Sequence, residues 1–323
     1  MRRFKKLLAV INGGPGDAHV THRAIALAQA NRAQLMFCSI HHSPGPTAGL
    51  LTGSEQHQKL DRLLRQERKN LLDDAVARSR TSGQPARGRL LEGNPFLEVI
   101  REVLRSERDI VLFPDDQGPS FRSRLFGSTA THLLRKCPCP VWVLKPTAVR
   151  GGRFRFKRVL AAVNASSDRP TEIALNTKIL EIATSLSKRE GAEIHVVHCW
   201  SVYGESILAA PRGPLTAAEI STYKRENRRN HQAALDGQLA RFYQEGHQIK
   251  KHLLKGEPDT KIPEIAAKIS ADVVVMGTVA RTGISGVFIG NTAEQVLQRI
   301  GRSVLAIKPA NFTSPVMLDD RHE

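Results

Sequence analysis

The chain has 323 residues, a length typical of two domains, and 41% of them are hydrophobic, enough to form globular cores. Aromatic residues make up only 5% of the chain, which leaves little material for a surface that stacks nucleic-acid bases. The apolar runs are all far shorter than the roughly 18 residues of a membrane-spanning helix. We therefore expect no membrane insertion and no nucleic-acid partner.

The formal net charge of +17 leaves a small anionic partner open, such as a phosphorylated metabolite. Much of the positive charge, however, interleaves with leucines in residues 55–82, as on the solvated face of an amphipathic helix. The basic start of the chain is followed by an apolar run that ends at Asn12, which is too short for a signal peptide. These features favour a cytoplasmic protein.

Strands and helices alternate through the first half of the chain. Short apolar runs predict strands at residues 6–12, 34–41, 87–91, 109–113 and 140–144. Apolar residues at helical spacing predict helices at residues 18–32, 55–82, 96–105 and 128–136. This alternation is typical of an α/β fold with a parallel sheet and helices on both faces.

The second half repeats the first. Residues 5–12 recur as residues 157–164, an offset of 152. Three later features recur at a constant offset of 163: Gly93 as Gly256, Gly127 as Gly290, and Lys145 as Lys308. A constant offset indicates a tandem duplication. We predict a first domain at residues 1–146, a linker at 147–156, a second domain at 157–310 and a tail at 311–323.

Parallel sheets of this kind bind ligands beyond the carboxyl ends of their strands, where the strand order reverses. The loops after Phe113 and Met276 therefore lie at the predicted mouths of the two domains. Asn12 and Asn164, which follow the first strand of each copy, should line the same mouths.

The stretch from Gly277 to Thr292 carries the clearest functional pattern. An apolar strand at residues 273–276 leads into a loop of small residues, and Gly290-Asn291-Thr292 precedes a run with helical spacing. A helix that starts in this way offers free backbone N–H groups and attracts anions, phosphate above all. The alternative is an ordinary turn between a strand and a helix, with Asn as the N-cap.

Residues 277–285, 288–296 and 133–138 resemble the universal stress protein family in its tandem-domain form, and the resemblance spans essentially the whole chain. It implies two universal stress protein domains. Each would be a five-stranded parallel sheet with helices on both faces, in the Rossmann-like fold of the adenine nucleotide alpha hydrolases. It also implies a cytoplasmic role in the stress response and pairing of the domains within the chain, with a homo-oligomer as a further option.

ATP-binding members of the family carry Gly, two residues, Gly, nine residues, Gly, and then Ser or Thr. This chain has Ala at the second position and Asn at the last, and it has Asn164 where those members tend to carry Asp. The resemblance implies a site for ATP or AMP, with Mg²⁺, in the second domain. The residues it assigns to nucleotide binding are Asn164, Gly277, Thr278, Ala280, Arg281, Gly290, Asn291 and Thr292.

The first domain keeps less of this pattern. Counting back from Gly127 places Pro114 and Gln117 where the family has glycines, and Pro114 has no N–H to donate. What remains is a degenerate anion site, formed by Asn12, Gly127, Ser128 and Thr129.

Catalytic and metal-binding motifs are absent from the sequence. There is no P-loop, no Gly-x-Ser-x-Gly and no His-Glu-x-x-His, so we predict no catalytic residues and no metal site. Asp115-Asp116 could hold Mg²⁺, although a turn in a solvated loop is the simpler interpretation. His41-His42 is interpreted as a solvent-exposed pair, and the other histidines are scattered.

The four cysteines are Cys38, Cys137, Cys139 and Cys199. The Cys137-Pro138-Cys139 run could suggest metal binding or redox chemistry, but no second cysteine pair or nearby histidine completes a zinc site. We interpret all four as buried, inert thiols in a reducing compartment.

Three functions remain open. The first is a protein that binds or senses an adenine nucleotide or a related anion without robust turnover. The second is a scaffold without nucleotide, acting through protein partners, whose domains pair through Val141, Val143, Val304, Ala306 and Ile307. The third is a weak ATPase, for which only Asp115-Asp116 offers a metal anchor.

Overall fold

The computed structural model describes residues 4–42, 54–115, 126–145, 155–204, 216–278 and 290–318. These residues form two compact units. The first unit holds the described residues up to 145 together with residues 303–318, and the second holds residues 155–278 and 290–302. No helix in these ranges is both long enough and apolar enough to cross a membrane.

The first unit alternates strands and helices as predicted. In chain order its elements are β1 (Lys6–Val10), α1 (Asp17–Asn31), β2 (Gln34–His41), α2 (Ser54–Thr81), β3 (Ala86–Glu92), α3 (Pro95–Ser106), β4 (Ile110–Pro114), α4 (Ser128–Lys136) and β5 (Val141–Leu144). The five strands are parallel and lie in the order β3-β2-β1-β4-β5. This is the five-stranded parallel sheet that the family resemblance implies.

The second unit repeats this arrangement over four parallel strands in the described residues, rather than the five that the family resemblance implies for each domain. Its elements are β6 (Arg158–Ala162), α5 (Pro170–Glu190), β7 (Glu193–Trp200), α6 (Ala217–Gln244), β8 (Ile249–Lys255), α7 (Pro258–Lys268), β9 (Val273–Gly277) and α8 (Asn291–Arg299). The parallel order β9-β6-β7-β8 matches the order β4-β1-β2-β3 of the first unit. The repeat in the sequence is therefore a repeat of topology.

The last strand, β10 (Ser303–Ile307), lies in the first unit, antiparallel to β5. Val304 pairs with Val143 and Ala306 with Val141, and none of these side chains is exposed. The final strands of the two repeats therefore pair within the chain, through residues that the scaffold hypothesis names.

The central strands are buried on both faces because their sequences are apolar throughout. Leu7, Leu8, Ala9 and Val10 of β1 have no exposed surface, and neither do Ile110, Val111 and Leu112 of β4. Each fully buried Leu, Ile or Val side chain is worth about 1.5–3 kcal/mol relative to an exposed one. The core thus fixes the central strands, whose carboxyl ends form the edge where ligands of such sheets bind.

An aspartate ties the two central strands together in each unit. Asp109, just before β4, accepts hydrogen bonds from the two backbone N–H groups at the start of β1, at 2.7 and 3.1 Å. Asp272, just before β9, accepts the equivalent pair at the start of β6, at 2.6 and 2.8 Å. Hydrogen bonds to a carboxylate are stronger than neutral ones, so they hold the paired strands at a fixed level.

Glu102 on α3 is a buried carboxylate of the first unit. It has no exposed surface, and it accepts hydrogen bonds from Arg89 Nη1 at 2.9 Å and Ser106 Oγ at 2.6 Å. Arg108, which is also buried, lies 3.9 Å away. A buried carboxylate of this kind is tolerated because it is paired and hydrogen-bonded.

We expect Glu102→Ala to lower the free energy of unfolding by about 3–5 kcal/mol, because it leaves the buried Arg108 without its carboxylate. The matched control is Glu107→Ala, which removes a surface ion pair with Lys6 at 3.0 Å, where the glutamate side chain is 82% exposed. That change should cost less than about 1 kcal/mol. Urea unfolding of the full chain measures both, and equal losses would contradict this account.

Candidate functional site

The carboxyl ends of β6 and β9 form the candidate site in the second unit. These strands are parallel neighbours with Ala162 opposite Met276, so Asn164 and Thr278, each two residues further on, come to the same edge. The strand order reverses here, because β6 lies between β7 and β9. This is the position at which open α/β sheets bind their ligands.

Asn164 is held in place by its neighbours. Its backbone N–H donates to Asn176 Oδ1 at 3.2 Å, and Asn176 Nδ2 donates back to the Asn164 carbonyl at 2.8 Å. Its side-chain Nδ2 donates to Glu172 Oε2 at 3.1 Å, and its Oδ1 accepts from Ser166 Oγ at 3.2 Å. The amide therefore fixes a carboxylate at this edge. A carboxylate accepts hydrogen bonds from hydroxyl or amino groups and repels phosphate.

Thr278 lies at the end of β9 and is fully buried. Among the residues that the structure describes, nothing pairs with its hydroxyl oxygen. Its carbonyl accepts a hydrogen bond from the Gly290 N–H at 3.1 Å, which closes the base of the loop between them. A buried hydroxyl without a partner costs about 1–3 kcal/mol of stability. A hydrogen-bond partner for the Thr278 hydroxyl would therefore be stabilising.

The start of α8 lies directly after this closure. Gly290 is the N-cap, and no side chain caps the helix. The alternative with Asn as N-cap is therefore wrong, because Asn291 is the first helical residue, and it is exposed like Thr292. The Gly290 N–H is already used, so the anion-attracting groups of this helix end are those of the first turn. Ala280 and Arg281, also assigned to the site, lie outside the described residues.

Packing accounts for the glycine at position 277. A Cβ added to Gly277 would lie 2.8 Å from Leu175 Cδ2 and 3.6 Å from Ile179 Cδ1, both on α5. The residue therefore has to be small for α5 to approach β9, whether or not a ligand is bound.

The first unit closes its equivalent edge with its own side chains. The carboxylate of Asp17 accepts the N–H groups of Asn12 and Gly13 at 3.0 and 2.7 Å. Arg68 of α2 donates to the Asn12 carbonyl. Gly13 has a φ of +79°, and a Cβ there would meet Arg68 and Leu71 at 3.2 Å. The backbone groups at the Asn12 end of the predicted degenerate anion site are thus already hydrogen-bonded, as are those of Asn164 in the second unit.

The helix end of that degenerate site lies at the start of α4. Gly127 is the N-cap without a side-chain cap, Ser128 is exposed and Thr129 is partly buried. This end keeps the uncapped first turn seen in α8.

Asp115 does not lie in a solvated loop. It is 3% exposed, and its carboxylate lies 3.3 Å from Lys145 Nζ. The solvated-turn interpretation is therefore wrong for Asp115, because a lysine 30 positions along the chain neutralises it. Asp116 lies outside the described residues. No group of three or more potential metal ligands occurs in the described ranges.

Several histidines that looked scattered in the sequence are in contact. His198 Nε2 lies 2.9 Å from His231 Nδ1, and His195 Nδ1 lies 2.9 Å from His252 Nε2. His41 is 5% exposed and bonds to Asp61 at 2.8 Å, so the solvent-exposed interpretation of His41 is wrong. These contacts join strands to helices or to other strands, which sequence spacing does not reveal.

His198 links the site's first loop to α6. Its Nδ1 lies 3.3 Å from the Ala165 nitrogen and 3.4 Å from the Val163 carbonyl, and its Nε2 lies 2.9 Å from His231 Nδ1. Burial is the main reason that the pKa of His198 falls to about 4, with the neighbouring His231 contributing. The ring is therefore neutral at pH 7, and it connects the loop that contains Asn164 to α6.

We expect Gly277→Ala to lower the free energy of unfolding by about 1 kcal/mol, because its methyl group displaces Leu175. Adding Leu175→Ala should remove that penalty, so the double variant is no less stable than Leu175→Ala alone. Denaturant unfolding of the two single variants and the double variant gives the coupling energy. Additive losses would show that Gly277 is needed for another reason.

The Universal stress protein family model matches residues 3–145 and 155–308. Universal stress protein E of Escherichia coli K12 is 31% identical over 327 residues, covering 100% of both chains. The Haemophilus influenzae homologue of that protein is 26% identical and covers 95% of this chain and 98% of its own.

Solved structures share the fold. A universal stress protein structure from Pseudomonas aeruginosa UCBPP-PA14 has a TM-score of 0.68 at 22% identity, covering 96% of this chain and 95% of its own. One from Archaeoglobus fulgidus has a TM-score of 0.61 at 17% identity, covering 94% and 96%. The two family matches, the full-length relatives and the repeated topology lead to one conclusion: the chain belongs to the universal stress protein family, with two domains in tandem.

Proposed function

We propose that this chain is a cytoplasmic stress-response protein whose second repeat binds an adenine nucleotide or a related anionic ligand. The observation that carries the proposal is the buried Thr278 hydroxyl, which has no partner among the described residues and stands beside the uncapped start of α8. The hydroxyl is fully buried, so a ligand oxygen must first displace the groups that cover it; it would then pair the hydroxyl and meet the positive end of the helix.

The two sides of the edge differ in charge, and this difference supports a ligand with two unlike ends. Asn164 holds the Glu172 carboxylate on one side, and α8 begins on the other. A nucleotide has phosphate oxygens at one end and hydroxyl and amino donors at the other. We therefore place the phosphates at α8 and the sugar or base toward Glu172. Arg281, which the sequence assigns to phosphate charge, completes this arrangement.

We propose binding rather than turnover. Proteins of this family are generally not classical enzymes. The carboxylate at the site, Glu172, is engaged by Asn164 and lies 3.7 Å from Arg169. Asp115, the metal anchor that an ATPase would need, is neutralised by Lys145. A carboxylate paired in this way is a poor ligand for Mg²⁺.

A scaffold role stands as the second candidate, and the β5–β10 pairing favours it. The strands expected to form the seam pair in register with buried side chains. In this role the chain binds no nucleotide, so a nucleotide titration separates the two proposals.

The test is a thermal-shift titration of the full chain with ATP or AMP, with and without Mg²⁺. At 100 times the dissociation constant, the ligand should stabilise the protein by about 2.7 kcal/mol. Thr278→Val should weaken binding roughly tenfold, the effect of losing about 1.4 kcal/mol of hydrogen bonding to a charged group. Without ligand, the same variant should be at least as stable as the parent, because it removes a buried, unpaired hydroxyl.

The matched control is Thr184→Val. Thr184 is 3% exposed, and its hydroxyl donates within α5 to the Leu180 carbonyl at 2.8 Å. The substitution is chemically identical but distant from the α8 start, so nucleotide affinity should not change. A flat titration up to millimolar ATP would refute nucleotide binding, and equal effects of the two variants would refute the role of Thr278.

A further inference from the structure

Cys137 and Cys139 lie side by side in the turn between α4 and β5. Cys137 caps the carboxyl end of α4, with its N–H donating to the Leu133 carbonyl at 3.0 Å. The two sulfur atoms are 3.6 Å apart. Cys137 has no exposed surface and Cys139 is 7% exposed, so a small oxidant reaches the Cys137 sulfur only when the turn beside Cys139 opens transiently, and larger reagents react only after unfolding.

Lys308 brings a buried positive charge to the same place. The residue is 2% exposed, and its Nζ donates to the carbonyls of Leu134 at 2.6 Å and Arg135 at 3.2 Å. The ammonium also lies 4.5 Å from the centre of the Phe312 ring. These partners are all uncharged, and a buried ammonium is stabilised most by a full negative charge.

The cysteine pair can supply that charge. Burial alone would raise the pKa of Cys137, but the thiol and N–H of Cys139 and the ammonium of Lys308 lower it below its ordinary value. Burial and the Cys137 sulfur hold the pKa of Cys139 well above its ordinary value. Of the two sulfurs, Cys137 is therefore the one that ionises first, and Cys139 is the thiol that can donate to it.

We propose that Cys137 and Cys139 form an oxidisable dithiol that a peroxide converts to an intramolecular disulfide, with the Lys308 ammonium at the end of α4 favouring the attacking thiolate electrostatically. This site is independent of the proposed nucleotide site. It also assigns these two cysteines a chemical role in place of the inert one that sequence spacing favours.

The reaction balances with hydrogen peroxide as the oxidant. The Cys137 thiolate attacks one peroxide oxygen, the O–O bond breaks, and the leaving hydroxide takes up a proton to become water. Cys137 is then a sulfenic acid. The sulfur of Cys139 attacks the Cys137 sulfur, the S–O bond breaks, and the second hydroxide takes the Cys139 proton and leaves as water. Two thiols and one peroxide thus give one disulfide and two waters.

The remaining two cysteines provide an internal comparison. Burial raises the pKa of Cys199 to about 12, and it raises the pKa of Cys38 further. A thiol with a raised pKa is protonated at pH 7 and reacts slowly with peroxide. Oxidation should therefore be confined to Cys137 and Cys139.

The test treats the full-length protein with a small excess of hydrogen peroxide at pH 7, followed by denaturation, alkylation and mass spectrometry. We expect a loss of about 2 Da and two alkylated cysteines instead of four, with the linked peptide spanning Cys137 and Cys139. In Cys139→Ser, the sulfenic acid on Cys137 should persist and react with dimedone when the protein is denatured in its presence. Four alkylated cysteines, or oxidation of Cys38 and Cys199 at the same rate, would overturn the proposal.

Lys308 is tested through the rate of disulfide formation. Lys308→Met should slow it roughly tenfold, because the thiolate fraction falls with the loss of the ammonium, and Lys308→Arg should restore most of it. The matched control is Ser314→Ala, which removes a hydrogen bond of the same segment to the Lys136 carbonyl, at 2.8 Å, without changing charge. That variant should keep the parental rate. Equal slowing in Lys308→Met and Ser314→Ala, at unchanged circular dichroism, would refute the electrostatic role.

Discussion

The hydrogen bonds that a single aspartate accepts from the start of the neighbouring central strand set the geometry of each repeat. Asp109 and Asp272 lie 163 residues apart in the chain, the same offset as the other late features of the duplication, and each accepts two backbone N–H groups. Because these bonds fix the level of the central strands at their amino ends, they also fix which residues meet at the carboxyl ends. Asn164 and Thr278 share an edge for this reason. The core is apolar on both faces of these strands. A shift of one strand along the other would therefore bring the polar residues that flank the strand into the core.

From this common frame the two repeats diverge at the loops. In the first repeat, a charged residue of the long helix, Arg68, reaches the carbonyl of Asn12, and Asp17 takes the N–H groups beside it. In the second, Asn176 takes the corresponding N–H group and a carboxylate is held by the Asn164 side chain. The first repeat thus satisfies its own edge, while the second keeps a buried hydroxyl without a partner in the described part of the chain. Duplication gives two helix starts without a side-chain cap, and of these the second lies beside a buried hydroxyl without a partner in the described part of the chain.

The sequence predicted elements well where local pattern decides them. β2 and α4 have the bounds that periodicity predicts, because an apolar strand run and a helical stripe are local signals. It failed where partners come from far along the chain. Asp115 is buried and paired with Lys145, His41 is buried and paired with Asp61, and no local signal marks either pair. Gly277 shows another limit of prediction from sequence. The motif assigns this glycine to a ligand, but the packing of α5 against β9 also requires a small residue there. Likewise, spacing places Cys137 beside Cys139, but only the fold brings Lys308, more than 160 residues away, to the end of the same helix.

The central claim is that the duplicated fold offers one open, anion-attracting edge, in the second repeat. Hydrogen–deuterium exchange of the full chain with and without ATP and Mg²⁺ tests it most directly, because it reports on both repeats at once. We predict slower exchange in the first turn of α8 and in the loop after β6, with α4 and the loop after β1 unchanged. Protection at α4 instead, or no protection at either helix at saturating millimolar nucleotide, would contradict the account.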